Sequence, residues 1–341
     1  MNNTHCMKLG TTLAGVLALI ATSAHADTFG SGGNAFTIDF VNIGNAGNGD
    51  DFGAGGGSFS SPYGGVAYNY RIGMTEVPQD WITKATNLGL ANVTAGAWSG
   101  LQPAANMTWY EAAAFVNFLN TSTGHQAAYN LNGTATALTL WAAGDAWDND
   151  PGAGVELNLY RHKDAYYFLP SEDEWYKAAF HKNDGVTANY WDYATGSNTA
   201  PTAVASGTGA GTVVFNLALS PAAVNNDGGL SSYGTRGQNG NAWEWQESAF
   251  DGTNDSSSEI RAYRGGDWSN DFESDLRSSL RNNFAPSFSN LDGGFRVASV
   301  GAIPEPSTIL WAMGAGFVCL TGRRRTPGQR EQCGCARRGC D

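Results

Sequence analysis

Hydrophobic residues in this chain come in short bursts, set apart by stretches of Gly, Asn, Ser and Thr. Alternation of apolar and polar positions from Phe36 to Val41 predicts a strand, and Val66 to Met74 predicts a second one that stops before Pro78. Two helices are marked by capping boxes. In Thr108-Trp109-Tyr110-Glu111 the hydroxyl and the carboxylate can each satisfy a free backbone N–H of the other residue. The helix-forming run from Ala112 to Leu119 follows, with Phe115, Phe118 and Leu119 on one face. Ser171-Glu172-Asp173-Glu174 repeats the device, starting a helix from Trp175 to about His181 with Trp175, Ala178 and Ala179 on its buried stripe. Towards the C-terminus, Asn239 to Trp245 reads as a turn into a strand with Trp243 and Trp245 on one side. Arg261 to Trp268 reads as a strand into a glycine turn, and Gly293 to Ala298 as a last strand whose glycines permit close backbone approach. Two short helices among many strands and loops predict an α+β domain, loop-rich and with no repeat or linker that divides it.

The two ends do not follow this pattern. Residues 1–26 read as a signal peptide: Lys8, an apolar run from Leu9 to Ala21, and the small-x-small site Ala24-His25-Ala26 before Asp27. The run is too short to span a bilayer, which takes about 20 residues. After Gly301, the order Pro304-Glu305-Pro306, apolar Ile309 to Leu320, then Arg323-Arg324-Arg325 reads as a membrane segment with a basic stop. Its order resembles the PEP-CTERM sorting signal, over residues 302–325. That resemblance implies export to the outer surface or extracellular matrix of a Gram-negative-type bacterium, transient insertion in the inner membrane, and an exosortase-type processing protease as partner. A basic tail with three cysteines, residues 326–341, continues beyond the arginines.

Charge and cysteine usage narrow the chemistry. All five cysteines (Cys6, Cys319, Cys333, Cys335, Cys340) lie in the terminal segments, so residues 27–301 hold no disulfide, thiolate metal site or cysteine nucleophile. The same residues carry 12 of the 19 Lys and Arg but 28 of the 31 Asp and Glu, a net charge near −16. Such a surface repels phosphate backbones and argues against a nucleic-acid partner. His125, His162 and His181 show no paired spacing and read as packed or solvated side chains.

Six blocks in register resemble the formylglycine-generating enzyme, or sulfatase-modifying-factor, family: Ile72 to Val77 (IGMTEV), Met107 to Ala112 (MTWYEA), the YFLPSEDEWYKAA block from Tyr167, GNAWEW from Gly240, RGGDW from Arg264, and GFR from Gly294. The resemblance implies the variant C-type-lectin-like fold over residues 27–301. Catalytic members hold copper between two cysteines after the RGGS block. Here those positions fall at about Asn270 and Asp275, so no copper is expected. The family's calcium sites map more closely. One set falls on Asn189 and Tyr190, the other on Gly240, Ala242 and Glu244, with Gly237 where an Asn ligand is expected. The stretch Asp267 to Asp292 lines the substrate groove in the family, which assigns a ligand groove to Trp268, Asn270, Asp275 and Arg281. The favoured function is a surface- or matrix-associated, non-catalytic module binding a polysaccharide or protein. The alternative is a family oxidoreductase with altered, cysteine-independent chemistry.

Overall fold

The computed structural model describes residues 25–52, 62–94, 96–149, 157–269 and 272–301. The leader up to residue 24, Asn270, the sorting segment and the tail lie outside them. The first sheet begins with β1 (His25–Phe29) and β2 (Phe36–Ile43), antiparallel with Phe29 opposite Phe36. In β2 the side chains of Phe36, Ile38 and Phe40 turn inward, as alternation requires. Next to β2 lies β3 (Tyr70–Gly73), then Ala298–Val300, then Tyr167–Phe168. The last strand of the domain therefore sits inside the first sheet and ties the two ends of the domain together.

Val66 to Asn69 is not strand, although the pattern predicted it. Its polar backbone is used by a loop instead: Val66 N–H donates to Asn48 Oδ1 at 3.3 Å, and Val66 C=O accepts from Gly47 N–H at 2.8 Å. Helix α1 (Gln79–Asn87) was not predicted. It starts from Pro78 with no side-chain cap and turns only Gln79, Ile82 and Ala85 into the core, a sparse signal. Helices α2 (Trp109–Ser122) and α3 (Glu172–Phe180) start from the predicted caps, Thr108 and Ser171, with α3 beginning three residues before the expected Trp175. In α2, Thr108 Oγ1 accepts from Glu111 N–H at 3.1 Å while Glu111 Oε2 accepts from Thr108 N–H at 2.8 Å. In α3 the corresponding bonds join Ser171 and Glu174 at 3.1 and 2.6 Å.

The second sheet has four strands in the order Asn282–Phe284, Arg261–Arg264, Trp243–Ala249, Gly293–Phe295. Glu244 faces Arg264 and Trp245 faces Tyr263 in the antiparallel central pair, while Gly293–Phe295 runs parallel to the tryptophan strand. Trp243 and Trp245 both enter the main core, with Trp109, Phe115, Tyr263 and Phe295. Two indoles keep their N–H groups satisfied there, Trp109 on Gln246 C=O and Trp245 on Met107 C=O, each at 3.0 Å. Removing one such ring leaves a cavity that costs about 3–5 kcal/mol. This packing fixes the floor on which the candidate site stands.

Candidate functional site

The site begins where the Arg261–Arg264 strand ends. Gly265 and Gly266 have φ of 109° and 75°, a backbone open to glycine, and a Cβ at Gly265 would meet Gln238 C=O at 3.1 Å. The turn delivers Asp267, whose Oδ1 accepts from Ser269 N–H at 2.5 Å. A short 3-10 turn, Glu273–Leu276, follows. Leu276 anchors it in a small cluster with Tyr193, Val213 and Phe215.

Between this turn and Gly293 opens a cavity of about 540 Å³. Asp267, Asp275, Asp292, Asn282, Asn290 and Arg281 line it together with Trp243, Tyr263 and Phe284. Tyr263 stacks on Trp243 at 5.6 Å and donates its hydroxyl to Asn290 Oδ1 at 3.2 Å. Asp292 Oδ1 is buried and finds no hydrogen-bond donor among the described residues. Burial, and then the charge of Asp267, push the Asp292 carboxyl above its ordinary pKa. Burial also raises the Tyr263 phenol, helped by Asp292, Asp267 and Glu244.

The walls are set by buried ion pairs. Arg281 binds Glu172 through Nε and Nη2, both at 2.6 Å, and stacks on Phe250 at 3.7 Å. Arg264 reaches the same carboxylate at 2.6 Å and holds Ser278 and Leu280 C=O at 2.9 Å. Below the cavity, Arg296 grips Glu244 through Nε at 2.6 Å and Nη2 at 2.5 Å, and Trp175 Nε1 donates to Glu244 at 2.7 Å.

A model of the sulfatase-modifying factor enzyme 1-like domain matches residues 78–300. The chain belongs to this family. This sulfatase-modifying-factor domain is followed by a match to the PEP-CTERM protein-sorting motif at residues 302–325. That motif marks an exported cell-surface protein of a Gram-negative bacterium and implies processing by an exosortase. Among solved structures, a variable protein of Treponema denticola matches with 21% identity and a TM-score of 0.57, over 82% of this chain and 100% of its own. CarF matches with 20% identity and a TM-score of 0.52, over 78% of this chain and 99% of its own. These likenesses show the fold: a loop-rich, C-type-lectin-like α/β domain. No curated protein matches the chain. No helix among the described residues is long and apolar enough to cross a membrane.

The structure places the expected groove residues unequally. Asp275 and Arg281 line the cavity, and Arg281 does so as a wall strut committed to Glu172. Trp268 packs edge-on against Trp98 at 5.8 Å. Asp267, Asn282, Asn290 and Asp292 also line the cavity; they lie within the expected stretch from Asp267 to Asp292 but were not singled out. Within that stretch, Asp267 stands out as the place where the family's RGGS block has a serine.

The expected calcium ligands are also spread out. Glu244 spends both oxygens on Arg296 and Trp175, a donor set that fits an ion pair rather than a calcium ion. Gly240 and Ala242 lie buried beside it. Asn189 is exposed, its amide donating to Asp184 Oδ2 at 2.9 Å, and the Tyr190 hydroxyl donates to Gly49 C=O at 2.8 Å. No group of three or more His, Cys, Asp or Glu among the described residues is placed to hold a metal. At Gly237, where an Asn ligand was expected, there is no room for one. A Cβ there would lie 2.5 Å from Asp227 Oδ2 and 2.6 Å from Glu76 Oε2. Two histidines are packed, His181 between Tyr233 and Tyr190 and His162 against Trp141, while His125 is exposed and stacks on Tyr166.

Proposed function

We propose that the exported domain is a non-catalytic binding module, which takes a polysaccharide or protein ligand in the cavity between the Gly265-Gly266 turn and Gly293. The observation that carries this reading is the cavity itself. It has the volume of a ligand site, a rigid wall of paired guanidinium and carboxylate, and a mixed lining of amides, acids and aromatic rings. The two positions that hold copper in catalytic relatives fall at about Asn270 and Asp275, and residues 27–301 contain no thiol. Screening the purified full-length chain against arrayed glycans and surface proteins tests the reading. The expected result is a ligand whose binding falls about tenfold or more in Asp275→Ala and Asn282→Ala, one lost charge-assisted contact being worth about that much. Unchanged binding in both folded variants would place the ligand elsewhere. Turnover of a sulfatase-derived cysteine peptide would instead support a family oxidoreductase.

A further inference from the structure

A second cavity, of about 240 Å³, shares no lining residue with the first. We infer that it binds one neutral sugar residue, a pyranose that is free or at the end of a glycan; this site is separate from the one in the reading above. Four segments build it: the loop 65–68, the start of α3 at Ser171 and Asp173, the end of the tryptophan strand at Ser248, and the stretch 252–254. The polar wall is fixed to the protein on one side and open on the other. Ser248 Oγ accepts from Glu172 N–H at 2.9 Å and Ser171 Oγ from Glu174 N–H at 3.1 Å, so both hydroxyl protons remain to be donated. Asp173 Oδ1 accepts from Gly64 N–H at 2.8 Å, while its Oδ2 takes no bond from the described residues. Asn254 accepts from Ala249 N–H and donates to Asn158, both at 2.8 Å, which holds the 252–254 stretch in place.

The lining selects the ligand class. Among the described residues it holds no lysine or arginine to pair an acidic group, and Asp173 is its single carboxyl. Burial raises that carboxyl to about 7, so near neutral pH it donates as well as accepts. Hydroxyls beside such a carboxyl match a ligand whose own groups do both, as the hydroxyls of a sugar ring do. Val66 and the Tyr68 ring offer apolar surface to the C–H side of that ring. The volume lies below the range of about 300–1,000 Å³ that suits drug-sized ligands, which favours one sugar unit over a longer chain or a peptide.

Calorimetric titration of the full-length chain with the methyl glycosides of glucose, galactose and mannose tests this, with their trisaccharides, glucuronate and glucosamine alongside. At least one neutral glycoside should bind, and more tightly than glucuronate or glucosamine. Equal affinity for its trisaccharide identifies a chain end, and tighter binding of the glycoside a free sugar; both support the inference. Asp173→Ala should weaken binding by about tenfold. Should that variant not fold, Thr253→Trp still decides, because it fills the cavity from an exposed position and should abolish binding. Asn282→Ala, on the first cavity, should leave it unchanged. Failure of all three glycosides to bind, tighter binding of glucuronate or glucosamine, a trisaccharide bound more than about tenfold more tightly, or full affinity in Thr253→Trp overturns the inference. Binding kept in Thr253→Trp and lost in Asn282→Ala overturns it too, while supporting the first cavity.

Discussion

Two sets of buried acids lie within one core and are handled in opposite ways. Glu244, Glu172, Glu174 and Glu247 each face a guanidinium. Arg161, fully buried, joins Glu174 at 2.9 Å to Glu247 at 2.6 Å, Arg296 closes on Glu244, and Arg264 and Arg281 converge on Glu172. Glu76 and Asp227 have no guanidinium within hydrogen-bonding distance, and Asp227 keeps only a longer ion pair to Arg236. Glu76 Oε1 accepts from Asn241 at 3.0 Å, but Glu76 Oε2 and both oxygens of Asp227 lack a hydrogen bond to any donor among the described residues, and the Arg236 guanidinium stays 3.7 Å away. Burial raises Glu76 well above the usual carboxylate range, with Asp227 adding to it, and burial raises Asp227 to about 7. Burial thus pushes both carboxyls towards the neutral form. The difference teaches that the fold neutralises its acids by two routes. Where an acid joins elements distant in sequence, it does so with arginine. Where Gly237 closes the space, burial favours the protonated form of the acids.

The sharpest way to break the comparison is to remove one guanidinium. Arg296→Ala leaves Glu244 buried and unpaired, and should cost about 3–5 kcal/mol in denaturant unfolding. A loss below about 1 kcal/mol would mean that Trp175 alone suffices for Glu244.

The second test concerns the proton. A carboxyl raised in the folded state contributes stability that is complete below its unfolded pKa, near 4, and is lost as pH rises through the folded value, about 7 for Asp227. Asp227→Asn removes that loss. The stability of wild type relative to the variant should decline between pH 4 and 7 by up to about 1.4 kcal/mol per pH unit. Parallel profiles for the two proteins would show that the pair does not hold an extra proton.

Calcium removal should have the smallest effect. An ion present at about 100 times its dissociation constant adds about 2.7 kcal/mol. With Glu244 saturated by Arg296 and Trp175, chelation should change stability by no more than about 0.4 kcal/mol, the value for an ion at its dissociation constant. A larger shift, abolished by Asn189→Ala, would place an ion at the 184–191 turn.

What could be read from the sequence follows the range of each interaction. Both capping boxes were legible because Thr108 with Glu111, and Ser171 with Glu174, close within one helical turn. The shared side of Trp243 and Trp245 was legible because strand alternation is local. Helix α1 gave no cap and few inward residues. Strand β1 was hidden because it straddles the expected leader cleavage point. The site was legible only in part. Arg281 and Glu172 are 109 residues apart, and Arg296 and Glu244 are 52 apart, so which acid each arginine takes is decided by the assembled sheets. The identity of residue 237 was visible. That its missing side chain makes room for Asp227 was not.

Asp27 gives one further consequence. Its carboxylate binds the buried Arg71 at 2.7 Å and accepts from the Tyr167 hydroxyl at 2.9 Å, while Arg71 also holds Ser299 of the last strand at 2.9 Å. Cleavage before Asp27 would make this residue the first of the exported protein and leave Asp27–Phe29 to pair with β2. A cut one residue later would delete the carboxylate that faces Arg71, at the place where the sheet joins the beginning of the domain to its end. Were the chain trimmed before Asp27, the Arg71–Asp27 ion pair would make the stability of the folded domain depend on keeping that first residue.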